Sequence, residues 1–374
     1  MINFEFDGSV WGIVIDFPSD LWEVRAVVSE VKQNVCVWVV LDEKAGHRSQ
    51  TMGLLECLKQ DFAVETVEMS YRSWTRPLGR LLQKCWPRGT AFAECGSVRK
   101  DKSLLRKPDL VIGSGGGVQW AVVALARKHG AFSIYLGSPR AIPVRDYGMV
   151  LHYVQELEQR GVCMLPMMPG PITAARTILA AKNFTDVQTD LSGKMACCLV
   201  GGNGSGYEWG EADGKLLAER INRWAEKREL RWLITTSRRT PIAMERALRK
   251  HLSPLCIADA CWAGAGDERR VVAAYLGLAE RVLVSEDSMS MMHEALASEK
   301  PVAVFSSLHH QVNHRHENFL LGAERHGWLL RISIAESDKN TSFLDHTCRF
   351  DADLQVIVGS LVSPRVKAFL RSKA

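Results

Sequence analysis

Residues Val35–Leu41 read VCVWVVL, and Asp42–Gln50 behind them read DEKAGHRSQ. An apolar run with no polar break, rich in valine, describes a strand covered on both faces, the condition of a strand inside a parallel sheet. The ionisable run leads into helical periodicity over Ser49–Lys59, so the stretch reads as strand, turn and helix, one βα unit. The unit recurs outward along the chain. Further strands are predicted at Val64–Met69, Asp109–Ile112, Phe132–Leu136 and Gly148–Tyr153, with a helix at Val118–Lys128. A second set opens at Met195–Val200 and continues with strands at Trp232–Thr236, Leu255–Ala258, Arg281–Val284, Val302–Phe305 and Trp328–Ile332. Its helices are expected near Glu211–Glu229, Pro241–His251, Arg269–Leu276, Met289–Ala297 and His316–His326. Between the sets, Asn183–Lys194 is polar and has neither period, which places a linker there. The expectation is an α/β chain with one domain over 1–185, a second over 186–350, and a segment 351–374 returning to the first. Ligands should enter a cleft at the carboxyl ends of the two sheets. Ahead of Val35, Leu21–Lys32 has the pattern of an amphipathic helix without a functional reading.

Composition narrows the class. Over 374 residues, 47% hydrophobic and 24% charged content excludes a disordered or fibrous chain, and the length excludes a small disulfide-stapled scaffold. Ten scattered cysteines contain no CxxC pair and read as reduced, buried thiols in a reducing compartment. Glu5 and Asp7 stand where a signal peptide carries positive charge, and nowhere do 18 apolar residues run together. A cytoplasmic protein is expected. The net charge of +5 is too small to argue for nucleic acid, and no nucleic-acid partner is expected. Its distribution is uneven: between Arg72 and Lys107 ten Lys or Arg face only Glu94 and Asp101. Arg76, Arg80 and Lys84 recur beside an apolar stripe from Trp74 to Cys85, which reads either as a basic helix on an anionic membrane or as an ordinary surface helix.

Chemistry-bearing residues gather at the ends of predicted strands. After the first, His47 carries the side-chain type best suited to a general base near neutral pH, with Asp42 or Glu43 to orient its ring; the other reading is a solvated turn with Ser49 capping the helix. Gly115, Gly116 and Gly117 open the helix at Val118, where glycine admits a ligand close to backbone N–H groups or simply makes a tight turn. Val118 breaks the dinucleotide fingerprint. Gly201, Gly202, Asn203, Gly204 and Gly206 read as a phosphate cradle or as a flexible turn. Ser237, Arg238 and Arg239, with Thr240 as N-cap and Pro241 at the first helical position, suit an anion. In Glu286-Asp287-Ser288-Met289-Ser290, the two serine hydroxyls suit the start of a helix and a diphosphate, and Glu294 one turn on suits a ribose diol. Asp287 and Met289 are expected beside the donor with these serines, although methionines in such a run also read as core filler. His309, His310, His314 and His316 lack a zinc frame and read as a polar loop closing over a phosphorylated ligand, with no metal site.

Taken together, these pieces resemble the family named after a plant mitochondrial-fission factor, whose bacterial members are glycosyltransferases of the lipooligosaccharide outer-core type. The resemblance rests on Asp42, Lys44-x-Gly46-His47-x-x-Gln50-x-x-Gly53-Leu54, Gly201-Gly202 with Tyr207-x-Trp209, Thr236-Ser237-Arg238-Arg239-Thr240-Pro241, and Glu286-Asp287-Ser288-x-Ser290-Met291-x-x-Glu294-Ala295 with Lys300-Pro301-Val302. Trp262–Glu268 departs from an Asn-Pro-Tyr-like segment of that family, and Gly115–Gly117 from an Arg-containing loop. A more distant similarity is to the inverting N-acetylglucosaminyltransferase of the lipid-linked peptidoglycan precursor, carried by Gly46-His47, Ser288, Glu294-Ala295, Pro301, His310, Asn318 and Gly322.

These resemblances imply a glycosyltransferase-B fold, two Rossmann-like domains across a cleft, the second holding a nucleotide sugar and the first a saccharide or lipid-linked acceptor. They imply no metal and no cofactor beyond that nucleotide-sugar co-substrate. Glu294 would hold the ribose, Ser288 and Ser290 the diphosphate, and His47 or a neighbouring acid would deprotonate the acceptor. The expected activity is inverting transfer to a cell-envelope acceptor such as a lipooligosaccharide core, at the inner face of the cytoplasmic membrane. A nucleotide-sugar epimerase or hydrolase on the same fold, and a non-catalytic membrane-associated interaction protein, are the competing expectations.

Overall fold

A short antiparallel hairpin of β1 (Ile2–Phe6) and β2 (Trp11–Ile15) begins the chain. The structure, a computed structural model, describes residues 2–6, 11–15, 32–71, 97–99, 106–140, 142–153, 161–187, 191–311, 314–335 and 342–373. Most of the predicted helix at Leu21–Lys32 and of the basic segment 72–107 lies outside the described residues.

The first sheet contains β3 (Gln33–Leu41), β4 (Phe62–Tyr71), β5 (Ser97–Arg99), β6 (Leu110–Ser114), β7 (Phe132–Leu136), β8 (Met149–His152) and β9 (Val162–Met164). Their order is β5-β4-β3-β6-β7-β8-β9, parallel except for β5, which runs antiparallel to β4. Val35 through Leu41 are all buried, and at about 1.5–3 kcal/mol for each large apolar side chain this burial sets β3 in the sheet interior.

The second sheet contains β10 (Lys194–Val200), β12 (Leu230–Thr236), β13 (Ile257–Cys261), β14 (Arg281–Ser285), β15 (Val302–Phe305) and β17 (Leu330–Ile332). It is parallel throughout, in the order β13-β12-β10-β14-β15-β17, which is the doubly wound Rossmann order. Two-residue strands β11 (Tyr207–Glu208) and β16 (His309–His310) pair separately. The helices are α1 (Ala45–Asp61), α2 (Gln119–His129), α3 (Ala174–Thr185), α4 (Glu211–Arg228), α5 (Ile242–His251), α6 (Val272–Leu278), α7 (Met289–Leu296), α8 (His314–Arg325), α9 (Ser342–Asp345) and α10 (Leu354–Lys373).

Each sheet reverses its winding beside its first strand, between β3 and β6 in one and between β10 and β14 in the other. Such switch points open a crevice at the carboxyl ends of the strands. The His47 and Gly115–Gly117 motifs flank the first crevice, and the Gly201–Gly204 and Asp287–Ser290 motifs flank the second.

Several expected boundaries move. Asn183–Thr185 belong to the last turn of α3 rather than to a linker. That helix precedes the polar stretch yet packs on α6 of the second sheet, where a Cβ on Gly277 would lie 2.0 Å from the Thr177 carbonyl. Leu255 and Cys256 lie in a 3-10 turn, so β13 starts at Ile257. Arg269 precedes α6 because its guanidinium is held by Asp267 and Asp259, each at 2.9 Å. The C-terminal α10 packs along α1, where the Ser363 hydroxyl donates to Asp61 at 2.6 Å, and it brings Phe369 to 5.3 Å from Phe132 of the first sheet. At the other side of the cleft, Tyr153 beyond β8 sits edge-on to His293 of α7 at 5.1 Å and to Phe319 of α8 at 5.7 Å.

Candidate active site

Helix α1 begins at Ala45, not at Ser49. The Lys44 carbonyl accepts the N–H groups of His47 and Arg48, and Asp42 Oδ1 accepts the Lys44 N–H at 3.0 Å. His47 therefore stands in the first helical turn, and Ser49 lies inside the helix and caps nothing. Asp42 Oδ2 is 2.7 Å from His47 Nδ1; the carboxylate side chain is 1% exposed and the imidazole 26%. A buried carboxylate accepting from Nδ1–H leaves the lone pair on Nε2, the tautomer a general base needs. Glu43 is exposed and makes no hydrogen bond or ion pair among the described residues, so Asp42 is the carboxylate that orients the ring.

The glycine loop of the first sheet completes this arrangement. Gly115 has φ 94°, and a Cβ there would lie 2.1 Å from His47 Nδ1. Its glycine is required twice, by the backbone and by the ring. One turn along α1, Gln50 Oε1 accepts the Ser114 hydroxyl at 2.7 Å; one more turn brings Gly53, whose Cβ would sit 2.4 Å from the Gly170 backbone nitrogen. The spacing His47-x-x-Gln50-x-x-Gly53 is thus one helix face applied to the glycine loop and to the segment that crosses between the sheets. Gly116 is exposed with nothing within 4 Å of a Cβ, and Gly117 is half-buried.

The second glycine loop is closed from within, which corrects its reading as a phosphate cradle. Gly201 N–H donates to Ser285 Oγ at 2.7 Å and Gly202 N–H to Asp287 Oδ2 at 2.8 Å. Asn203 N–H donates to the Arg239 carbonyl and Gly204 N–H to the Tyr207 carbonyl, each at 3.2 Å. A Cβ on Gly201 would meet the Asp287 carboxylate at 2.3 Å, and one on Gly202 the Arg239 carbonyl at 2.0 Å. Gly201 and Gly202 are glycine because a side chain there would strike a buried acid and a neighbouring backbone.

Asp287, expected on the donor, is the fully buried carboxylate at the centre of this closure. Burial pushes its carboxyl up, against the Gly202 N–H, the Ser285 hydroxyl and the Arg239 guanidinium. Arg239 Nη2 lies 3.2 Å from it and Nη1 donates to the Asn203 carbonyl at 3.2 Å. Both arginines are exposed, and the pair divides by partner: Arg239 binds buried Asp287 and the Asn203 carbonyl, whereas Arg238 has no partner among the described residues. Thr240 is not the helix cap. Pro241 occupies that position, and the Thr240 hydroxyl donates to the Gly201 carbonyl and accepts the Ser237 N–H. Ser237 Oγ in turn accepts the Arg239 N–H at 3.1 Å.

Ser288 holds the N-cap position of α7 but its hydroxyl does not cap; it lies 3.4 Å from Ser290 Oγ. Met289 packs against the core, and Ser290 is exposed.

One arrangement escaped the sequence reading. Buried Glu286 accepts from Arg331 Nε at 2.9 Å and from the Tyr207 hydroxyl at 3.0 Å, Arg331 also binds Glu317 at 2.7 Å, and His316 Nε2 donates to the Glu286 carbonyl at 2.5 Å. Glu286 stood in a quoted motif, but nothing local marks Arg331, 45 residues on. The histidine run is drawn onto the glycine loop by the β11–β16 pairing and by Gln311 N–H on the Gly206 carbonyl at 2.7 Å. Among the described residues no three His, Cys, Asp or Glu side chains gather closely enough for a metal ion, and no helix is long and apolar enough to cross a membrane.

The two walls meet at a narrow cavity of about 20 Å³. Gly46, Ser49 and Gln50 of α1 face Ser290, His293 and Glu294 of α7, with Met168–Ile172 between them. Burial pushes the Glu294 carboxyl up to about 7 and, with His316 close by, the His293 imidazole down to about 3. The two act oppositely on stability. Glu294 holds its proton in the folded state between its ordinary 4.5 and about 7, so its contribution to stability falls as pH rises through that window. His293 resists protonation when folded, so stability is lost as pH falls from 6.5 towards about 3. With allowance for its partial exposure, Glu294→Gln should gain about 2 kcal/mol on wild type between pH 5 and pH 8 in denaturant titrations. Parallel pH profiles would refute the raised carboxyl.

The family model described as Mitochondrial fission ELM1 matches residues 45–350 of this chain. No curated protein matches it. Among solved structures it is similar to MurG from Acinetobacter baumannii, at 11% identity and TM-score 0.47, covering 89% of this chain and 92% of that one. It is also similar to the ADP-heptose LPS heptosyltransferase II of E. coli, at 13% identity and TM-score 0.40 over 90% and 99% of the two chains. A third is S. aureus MnaA, solved with UDP, at 14% identity and TM-score 0.44 over 90% of each chain.

Proposed function

The chain belongs to the mitochondrial fission ELM1 family, and on that premise we propose that it is an inverting, metal-independent glycosyltransferase using a nucleotide-sugar donor and a cell-envelope saccharide acceptor of the lipooligosaccharide-core kind. The single observation that carries this reading is the shared cavity: the helix bearing a carboxylate-oriented imidazole faces, across one cleft, the helix bearing Ser290 and Glu294. In this proposal the first Rossmann-like sheet, β3 to β9, supplies the acceptor side and the second sheet, β10 to β17, the donor side.

In the proposed reaction His47 Nε2 takes the proton of the acceptor hydroxyl as that oxygen attacks the anomeric carbon from the face opposite the leaving group. The bond from that carbon to the nucleoside diphosphate breaks, and the diphosphate leaves with the electron pair. Asp42 stabilises the imidazolium that forms, as a buried partner on Nδ1 does elsewhere. The leaving charge falls to Arg238 and to the first N–H groups of α7, because Arg239 and the second glycine loop are already engaged. Gly116 and Gly117 remain for the acceptor side. Attachment to an anionic membrane through 72–107 belongs to the same proposal, as does a place at the inner face of the cytoplasmic membrane.

A thermal-shift panel of UDP, GDP, CMP and ADP with their sugars, run on wild type and Glu294→Ala, tests the donor site. One nucleotide class should stabilise wild type, with the shift reduced in the variant. Failure of every nucleotide to bind would overturn the proposal in favour of a non-catalytic interaction protein. Turnover of the bound donor at full rate without any acceptor would point to an epimerase or hydrolase.

A further inference from the structure

A second and larger cavity, of about 220 Å³, reaches α1 at Cys57, two turns beyond Gln50, and is lined by neither His47, Ser290 nor Glu294. Ala174 and Ala175 at the start of α3, Ala297 just past α7 and Ala352 just ahead of α10 leave the space open, because each stands where a larger side chain would fill it. A cavity of about 150 Å³ accepts benzene, so this one holds a six-membered ring with a short arm. Ile172 and Leu354 give such a ring apolar walls. Cys57 is 2% exposed, and burial, with the charge of Asp353 after it, pushes its thiol up to about 12, so the sulfur is a neutral wall group and not a nucleophile. The charge of the cavity is one-sided. Glu299 and Asp353 line it, and among the described residues no Lys or Arg does; Arg176 of α3 is turned to Glu56 at 3.3 Å and to the Pro171 carbonyl at 3.0 Å.

Asp353 has a structural task, since its Oδ1 accepts the N–H groups of Gln355 at 2.8 Å and Val356 at 3.3 Å and so caps α10. Glu299 has none. It has φ 59°, the left-handed conformation that glycine adopts at least cost after a helix, and it follows the carboxyl end of α7, where the helix dipole opposes a negative charge. Its backbone N–H donates to the Leu296 carbonyl at 3.1 Å, but its carboxylate makes no hydrogen bond or ion pair among the described residues. Two costs are thus carried by a side chain that gains nothing from the protein, at the edge of an apolar space. The first N–H groups of α3 also face this space, yet a helix start amounts to about half a positive charge against two carboxylates. We propose that this cavity is a second ligand site, separate from those of donor and acceptor, that takes a compact organic cation: an apolar ring whose ammonium group pairs with Glu299.

At pH 7 benzylamine, benzyl alcohol and benzoate present one ring with an ammonium, a hydroxyl and a carboxylate. Their dissociation constants are to be measured by NMR titration of wild type, Glu299→Gln and Ala352→Leu. Benzylamine should bind wild type about fivefold more tightly than benzyl alcohol, as one partly screened ion pair allows, and benzoate should bind most weakly. Glu299→Gln should bring benzylamine to within about twofold of the alcohol and leave the alcohol unchanged, and Ala352→Leu should weaken every ligand by filling the space. Glu299→Gln alters only an exposed side chain and carries the test by itself. Without ligand, Glu299→Gly should melt above wild type, because it relieves the left-handed glutamate. Absence of binding to wild type, a preference for benzoate, a benzylamine preference that survives Glu299→Gln, affinities that ignore Ala352→Leu, or a lowered melting temperature in Glu299→Gly would each overturn the proposal. No nucleotide enters these measurements, so their failure leaves the glycosyltransferase reading standing.

Discussion

His47→Ala and Asp42→Asn are each expected to lower the turnover of glycosyl transfer by about 10²–10⁴-fold, the range a positioned general base contributes, with donor affinity nearly unchanged. The two losses should not add, because the carboxylate acts through the ring at 2.7 Å and removing either member disables the same proton transfer. Gly115→Ala should reproduce the kinetic defect without touching either side chain, since its Cβ would lie 2.1 Å from His47 Nδ1 and the ring must turn away. Gly116→Ala provides the contrast, with open space around the added methyl. Steady-state kinetics with donor and acceptor varied separately would check this. Full transfer activity in the His47→Ala, Asp42→Ala double variant would show that another group takes the proton.

Gly202→Ala is expected to remove about 3 kcal/mol or more of stability from the second sheet and its helices. The new Cβ would sit 2.0 Å from the Arg239 carbonyl and 2.4 Å from the Thr240 nitrogen, both backbone atoms, so no side chain can swing aside to relieve it. Moving that backbone also disturbs the Thr240 hydroxyl on Gly201, the Asn203 N–H on Arg239 and the Arg239 pairing with Asp287. Asp287 would then stand buried with one partner fewer, which is costly for a charged group. Denaturant unfolding followed by tryptophan fluorescence measures the loss, because Trp209, Trp224 and Trp232 are buried around this sheet. A variant within 0.5 kcal/mol of wild type, the range of neutral surface changes, would show that the loop has room the structure does not display.

Both predictions depend on features that stand at different depths below the sequence. The unbroken apolar runs at Val35–Leu41 and Met195–Val200 determined that the strands lie in parallel sheets, because only burial on both faces tolerates such runs. The alternation of these runs with helical periods determined the βα repeat, and the ionisable and glycine-rich turns between them marked both crevices. His47 beside Asp42 was legible for the same local reason: five residues across one strand–helix turn have few ways to be arranged. Helix starts were less so. Ser49 and Thr240 each have the chemistry of a cap, but Lys44 and Pro241 occupy the cap positions, and side-chain propensity yields there to the hydrogen bonds of the turn.

What only the tertiary structure decided was which polar groups are already engaged. Four glycine-loop N–H groups look free in a sequence, yet Ser285, Asp287, Arg239 and Tyr207 meet them from up to 85 residues away. Arg238 and Arg239 are equivalent as letters and divide only when one reaches a buried acid. Gly115 gains its second requirement from a helix 68 residues earlier, and Glu286 its cation from Arg331. His293 Nε2 is buried without a hydrogen-bond partner, and the neighbours its ring meets are the rings of Tyr153 and Phe319. Periodicity and turn chemistry are short-range, so the sequence alone determined the two sheets and where their crevices lie; hydrogen-bond satisfaction is settled by distant segments, so only the folded chain decided which groups in those crevices remain open to a ligand.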